Sequence, residues 1–151
     1  MELNFDKLAY EWTPCQEKSF SITVRCWARE GVAGIMEPAA VWNVYANIYD
    51  NHPMFSEPER ARNLPFHGGC TYDKYVTHEF ATPEAERSQW MRTSRALKVG
   101  SDYAHYGDDQ YESAMPSDGI PWSIRRDVED LAEALLATAP QEPAAVESGA
   151  A

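Results

Sequence analysis

Two carboxylates and an imidazole crowd into Gly100-Ser101-Asp102-Tyr103-Ala104-His105-Tyr106-Gly107-Asp108-Asp109. His67, in His67-Gly68-Gly69, can join them from a turn. Imidazole and carboxylate together suit Zn, Mn or Fe as ligands, and they equally suit general-base chemistry in which a carboxylate fixes the histidine tautomer. His67, Asp102, His105 and Asp108 are therefore the candidate ligands for a divalent metal. Asp102, His105 and Asp108 follow one another at intervals of three, a spacing that shares a helical face but alternates in a strand. Convergence thus requires a turn after Asp102, and Gly107 can supply it. The bland reading stays open beside this one: a solvated acidic loop with a histidine hydrogen-bonded for structure.

Other chemistries find little support. The chain has no Gly-x-Ser-x-Gly elbow, no Gly-x-Gly-x-x-Gly and no Gly-x-x-x-x-Gly-Lys-Ser/Thr, so the common nucleophile and phosphate-cradle motifs are absent. Cys15, Cys26 and Cys70 are odd in number and show no Cys-x-x-Cys spacing, which leaves free buried thiols as the expectation. His52 before Pro53 reads as a loop histidine and His78 as an exposed strand residue.

Ser19–Ala28 alternates, with Phe20, Ile22, Val24, Cys26 and Ala28 on one face, and Val41–Tyr49 sets Trp42, Val44, Ala46 and Ile48 against polar or aromatic partners. Both read as strands. Ser56 with Glu59 forms a capping-box pattern for a short helix over 57–62. A short strand should follow the His-Gly-Gly bend. Thr82-Pro83-Glu84 opens a helix to about Arg92. Arg95–Tyr103 returns to period two, which would deliver Asp102 and His105 at a strand end.

The loop 101–118 carries Asp102, Asp108, Asp109, Glu112 and Asp118 without a Lys or Arg, so it must be solvated or meet a cation. Ser123 can cap a helix through about Ala137 whose apolar stripe is Ile124, Val128, Leu131 and Leu135. The order implies an α+β fold, a mostly antiparallel sheet packed against a C-terminal helix. We expect a single domain over 1–138 and a flexible Pro- and Ala-rich tail over 139–151.

The 151 residues fit one domain. A net charge of -11, from 13 basic and 24 acidic residues, opposes direct binding to nucleic-acid phosphate. No apolar run suits a membrane span, and the opening residues lack a signal-peptide pattern, so the expectation is a cytoplasmic protein without a membrane partner. Five Trp and eight Tyr would bulk the core or line a stacking pocket.

The order His52-Pro53, His67-Gly68-Gly69-Cys70-Thr71-Tyr72, Gly100-Ser101-Asp102-Tyr103-Ala104-His105-Tyr106-Gly107-Asp108 and C-terminal helix is similar to that of a family of small accessory proteins common in bacteriophage and prophage genomes. There the pieces look like His-Gly-Gly-x-Thr-Tyr/Phe and Gly-Phe-Asp-Cys-Ala-His-x-Gly-Asp. This chain carries Ser101 for Phe and Tyr103 for Cys, while the polar positions stay. The resemblance spans residues 41–136 and says little of activity.

By analogy it implies a counter-defence protein in the cytoplasm of an infected bacterial host. Such a protein would sequester a nucleotide-type immune signal in a polar and aromatic pocket of His67, Gly68, Gly69, Tyr72, Asp102, His105 and Asp108. A nucleotide there would need positive help from Arg92, Arg95, Lys98, Arg125 or Arg126. Two alternatives stand: a metal-dependent hydrolase or phosphodiesterase using the same cluster, and an acidic inhibitor of a host defence nuclease acting through Asp108, Asp109 and Glu112. Self-association as a homo-oligomer is compatible with each.

Overall fold

A computed structural model describes residues 9–79, 93–105 and 107–140. They form a five-stranded sheet, β1 (Ala9–Gln16), β2 (Phe20–Arg29), β3 (Ala39–Tyr49), β4 (Tyr72–Glu79) and β5 (Thr93–Asp102), in the order β1-β2-β3-β5-β4. Every pairing is antiparallel. The helices are α1 (Pro58–Arg62), α2 (Asp109–Glu112) and α3 (Trp122–Thr138), with 3-10 turns at Pro53–Ser56 and Pro116–Asp118. The fold is α+β, an antiparallel sheet plus a C-terminal helix, as the alternation and the final amphipathic stripe predict. No helix among the described residues is long and apolar enough to cross a membrane.

The register explains the core. Phe20, Ile22, Val24 and Cys26 stand opposite Ile48, Ala46, Val44 and Trp42, and Ile48 and Ala46 in turn oppose Leu97 and Val99. All ten are buried on one face of the sheet, because period-two alternation sends them the same way. Ile124, Val128, Leu131 and Leu135 of α3 are buried in the same cluster, together with Met54, Ala61, Leu64, Phe66 and Tyr111. Every described helix therefore contributes to this one face.

Four local expectations change. β1 has no counterpart in the sequence reading; it pairs along β2 with a register shift between Trp12 and Cys15, across Pro14. The Ser56–Glu59 capping box does not form, since Ser56 closes a 3-10 turn and Glu57 precedes Pro58 at the helix start without a side-chain cap. Ser123 is not a cap either: Pro121 holds that position, and the Ser123 hydroxyl pairs with Tyr111 Oη at 2.7 Å. Of the thiols only Cys26 is fully buried, with its pKa pushed up to about 12 by desolvation. The helix expected from Thr82 to Arg92 and residues 141–151 of the expected tail lie outside the described residues.

His52 is buried at 3% exposure and joins the exit of β3 to the far end of α3. Its Nδ1 accepts the Met54 amide at 3.1 Å, so Nε2 carries the proton and donates to the Leu135 carbonyl at 3.0 Å. That carbonyl belongs to the last turn of the helix, where intrahelical donors run out. His52→Ala should cost about 1–3 kcal/mol in denaturant unfolding, because it strands the buried Met54 amide and leaves the Leu135 carbonyl with only the Thr138 hydroxyl at 3.3 Å. An unchanged midpoint would show that the bridge contributes nothing.

Candidate metal centre

β5 ends at Asp102, and the chain turns at once. Asp102 Oδ1 accepts the Ala104 amide at 3.1 Å, and the Asp108 amide donates to the His105 carbonyl at 3.0 Å. Gly107 has φ +94°, a value that favours glycine. The required bend after Asp102 is thus present. A second bend approaches from the chain before β4, where the Gly69 amide donates to the Phe66 carbonyl at 3.1 Å and Gly68 has φ +68°. The Thr71 amide then donates to the Gly100 carbonyl at 2.8 Å and fixes this bend beside the end of β5.

The two bends bring His67, His105 and Asp108 together, with one potential ligand atom from each lying within 4.8 Å of the others. His67 Nε2 is 2.7 Å from Asp108 Oδ1, so in the metal-free protein it donates to the carboxylate. Asp108 Oδ2 accepts the His105 backbone amide at 2.8 Å. His105 Nδ1 lies 3.3 Å from the same oxygen and 3.6 Å from Asp102 Oδ1. The first contact is not aligned as a hydrogen bond and the second is too long for one, so the buried nitrogen has no hydrogen-bond partner. Asp102 therefore stands at the rim rather than inside the triad.

Asp108 is 6% exposed, so the acidic loop is not solvated throughout. Asp109, Glu112 and Asp118 are exposed. Burial pushes the Asp108 carboxyl up, but the hydrogen bonds from the His105 amide and the His67 ring, with the charge of the adjacent His67 imidazole, outweigh it, with the result that the group is held below its ordinary range.

A second layer positions the triad. The His67 ring stacks on Tyr103 with centroids 4.3 Å apart and planes 17° from parallel. Tyr103 Oη donates to Asp127 Oδ2 at 2.5 Å, and Tyr111 packs edge-on against both His67 and Tyr103. Burial, then the Asp127 bond, pushes the Tyr103 phenol strongly up, so it serves as a neutral donor and a stacking platform. Sequence reasoning did not assign Tyr111, Ser123 or Asp127 to the site. The available signal was Asp127 itself, an acid beside the stripe of Ile124 and Val128 on a core-facing helix.

Gly68 serves the site by having no side chain, because a Cβ there would come within 2.8 Å of the His105 ring. Gly69 meets nothing comparable, and Tyr72 packs against Tyr45 rather than against the histidines. The suggested cations also have contacts elsewhere. Arg95 lies over Phe55 and Tyr75, Lys98 over Tyr45 and Tyr72, and Arg126 over Trp122, while Arg125 bonds the Ile120 carbonyl. Arg92 lies outside the described residues.

Comparison with protein-family models, with curated proteins and with solved structures finds no match to this chain. The resemblance to phage accessory proteins thus rests on the quoted motifs alone.

Proposed function

We propose that His67, His105 and Asp108 bind a divalent transition-metal ion and that the protein is a metal-dependent hydrolase acting on phosphoesters. The observation that carries this reading is the convergence of two imidazoles and a carboxylate, with His105 Nδ1 buried and lacking a hydrogen-bond partner. Such a donor set suits Zn, Mn or Fe, and three protein ligands leave positions for water and substrate. The ion would supply Lewis acidity and a water acidified toward neutrality. Asp102, at the rim 3.6 Å from His105 Nδ1, would accept a proton, and the Tyr103–Asp127 pair holds the His67 plane.

Sequestration of a nucleotide by this cluster alone is the less favoured reading, because none of the described cations proposed for it makes one of its described contacts with the triad. If the phosphoester is a nucleotide signal, hydrolysis would itself serve counter-defence.

The test is metal analysis by mass spectrometry after dialysis against Zn, Mn or Fe(II), alongside hydrolysis of bis(p-nitrophenyl) phosphate. Stoichiometric binding that His105→Ala weakens at least about 10-fold is expected, with metal-dependent turnover that the same change removes. Wild-type protein that retains no ion would overturn the metal site. An ion bound without turnover would overturn the hydrolase.

A further inference from the structure

The side of the sheet away from the core carries three rows across the strands, which follow from the register. Glu11, Arg25, Asn43 and Asp102 form the row at the metal-site end. Next comes Thr23, Tyr45, Gly100 and Tyr72. Ser21, Asn47, Lys98 and Lys74 form the third row. The described helices bury their apolar residues against the opposite face.

The middle row is an aromatic ledge. Tyr45 and Tyr72 meet edge to face with centroids 5.5 Å apart. Gly100 lies between them, where a Cβ would collide with the Tyr45 ring and the Val44 carbonyl. Both tyrosines remain half-buried, and Trp27 is 36% exposed nearby on β2, with its indole nitrogen bonded to Asn43 Oδ1 at 3.1 Å.

The third row has an unusual charge pattern. Lys74 and Lys98 stand directly opposite each other on β4 and β5, and neither forms an ion pair among the described residues. Like charges directly opposite in a ladder destabilise it, and no acid shares the row. Lys98 Nζ rests 4.3 Å from the Tyr45 centroid and 5.9 Å from that of Tyr72, while Lys74 Nζ lies 5.8 Å from Tyr72. In a chain of net charge -11, two facing ammonium groups beside two aromatic rings form a local site for an anion attached to a flat ring.

We propose that this outer face binds a mononucleotide, with its phosphate between Lys74 and Lys98 and its base on the Tyr45–Tyr72 ledge. In the unligated protein both ammonium groups lie over the rings, Lys98 Nζ only 4.3 Å from the Tyr45 centroid, and a phosphate that draws them toward itself would free a ring face for the base. Asn43 and Asp102, one row further on, offer hydrogen-bonding groups toward the base edge. Charge decides the size of the occupant. A polynucleotide would extend past the lysine row onto a surface whose overall charge repels phosphate, whereas a mononucleotide stays beside the cations. The phosphate end of this site stands clear of the metal centre, because Lys98 and Asp102 are four residues, or about 13 Å, apart on β5, while Asp102 lies between the base end and the histidines.

The experiment is titration calorimetry with adenosine 5'-monophosphate, adenosine, inorganic phosphate and a twelve-nucleotide single strand, on full-length protein in EDTA. Adenosine 5'-monophosphate should bind more tightly than adenosine or phosphate, and Tyr72→Ala should weaken it roughly 5- to 150-fold. Lys74→Glu should weaken binding by at least about 10-fold while raising the unligated melting temperature, since a cross-strand ion pair replaces a repulsion. Opposite signs in those two readouts separate a ligand-binding role from a structural one. Asp108→Ala, provided it remains folded by circular dichroism, should bind the nucleotide as the parent does.

No binding of the monophosphate would overturn the proposal. So would binding lost in Asp108→Ala and kept in Lys74→Glu, which would place the nucleotide at the histidines. Tighter binding of the twelve-nucleotide strand would overturn it in favour of a polynucleotide surface. Nucleotide binding by a protein that never retains metal would leave this proposal standing while the hydrolase reading fails.

Discussion

Asp108→Ala is expected to lower the stability of the metal-free protein by about 2–3 kcal/mol and to abolish stoichiometric retention of a divalent ion. The stability loss follows from what the carboxylate accepts: the His67 ring at 2.7 Å and the His105 amide at 2.8 Å, at a position 6% exposed. Removing the side chain leaves the amide and the imidazole donor without that acceptor. Against a typical total of about 5–15 kcal/mol the loss is large enough to measure by denaturant unfolding.

The pH dependence has a definite sign. Because the folded Asp108 carboxyl lies below its ordinary range, the unfolded chain takes up this proton first on acidification. The contribution of its charge is therefore fully present above the unfolded value of about 3.9 and lost as pH falls through the folded one. Asp108→Asn, which keeps the shape and removes the charge, should narrow its stability gap to the parent only in that acid window. A gap that widens with acidification would contradict this account of the carboxylate.

Trp42→Ala should have the largest effect on folding, at about 3–5 kcal/mol. Trp42 has no exposed surface, stacks on Trp12 with centroids 5.6 Å apart, and donates from Nε1 to the Ala114 carbonyl at 3.3 Å. It thereby ties the centre of the sheet both to the edge strand and to the segment after α2. Trp42→Phe should recover most of the loss while keeping the Ala114 carbonyl without its donor. Denaturation midpoints with unchanged slopes would measure both effects. A loss below about 1 kcal/mol for Trp42→Ala would mean that the site collapses around the deletion.

The elements most legible in the sequence are those whose period matches their burial. The alternation of β2 and β3 and the stripe Ile124, Val128, Leu131 and Leu135 correspond to the core at every position except Ala28, which is half-buried near the end of β2. β1 was hidden because Pro14 interrupts Tyr10, Glu11 and Trp12 with a residue that strands tolerate only at edges or bulges. The capping box at Ser56 failed because Pro58 takes the first helical position and Ser56 belongs to the preceding turn.

At the site, His105 and Asp108 were legible through the glycine at position 107. Their meeting with His67, 41 residues before Asp108, depends on β4 pairing with β5. Local spacing does not encode that pairing. The resemblance puts Tyr72 in the same pocket, yet alternation along β4 places it opposite Gly100 on the outer face. The Lys74–Lys98 pair was invisible for the same reason, since only the register makes the two lysines neighbours.

The irregularity in β1 has a consequence for how the chain behaves among its own copies. An open sheet ends in strands whose unpaired amides and carbonyls can template another strand. Among the described residues β1 is such a border, and its row is irregular, because Pro14 has no amide hydrogen and the register slips between Trp12 and Cys15. A neighbour attempting to extend the sheet would meet a missing donor and a local twist. The residue that obscured β1 in the sequence thus also protects this border against aggregation.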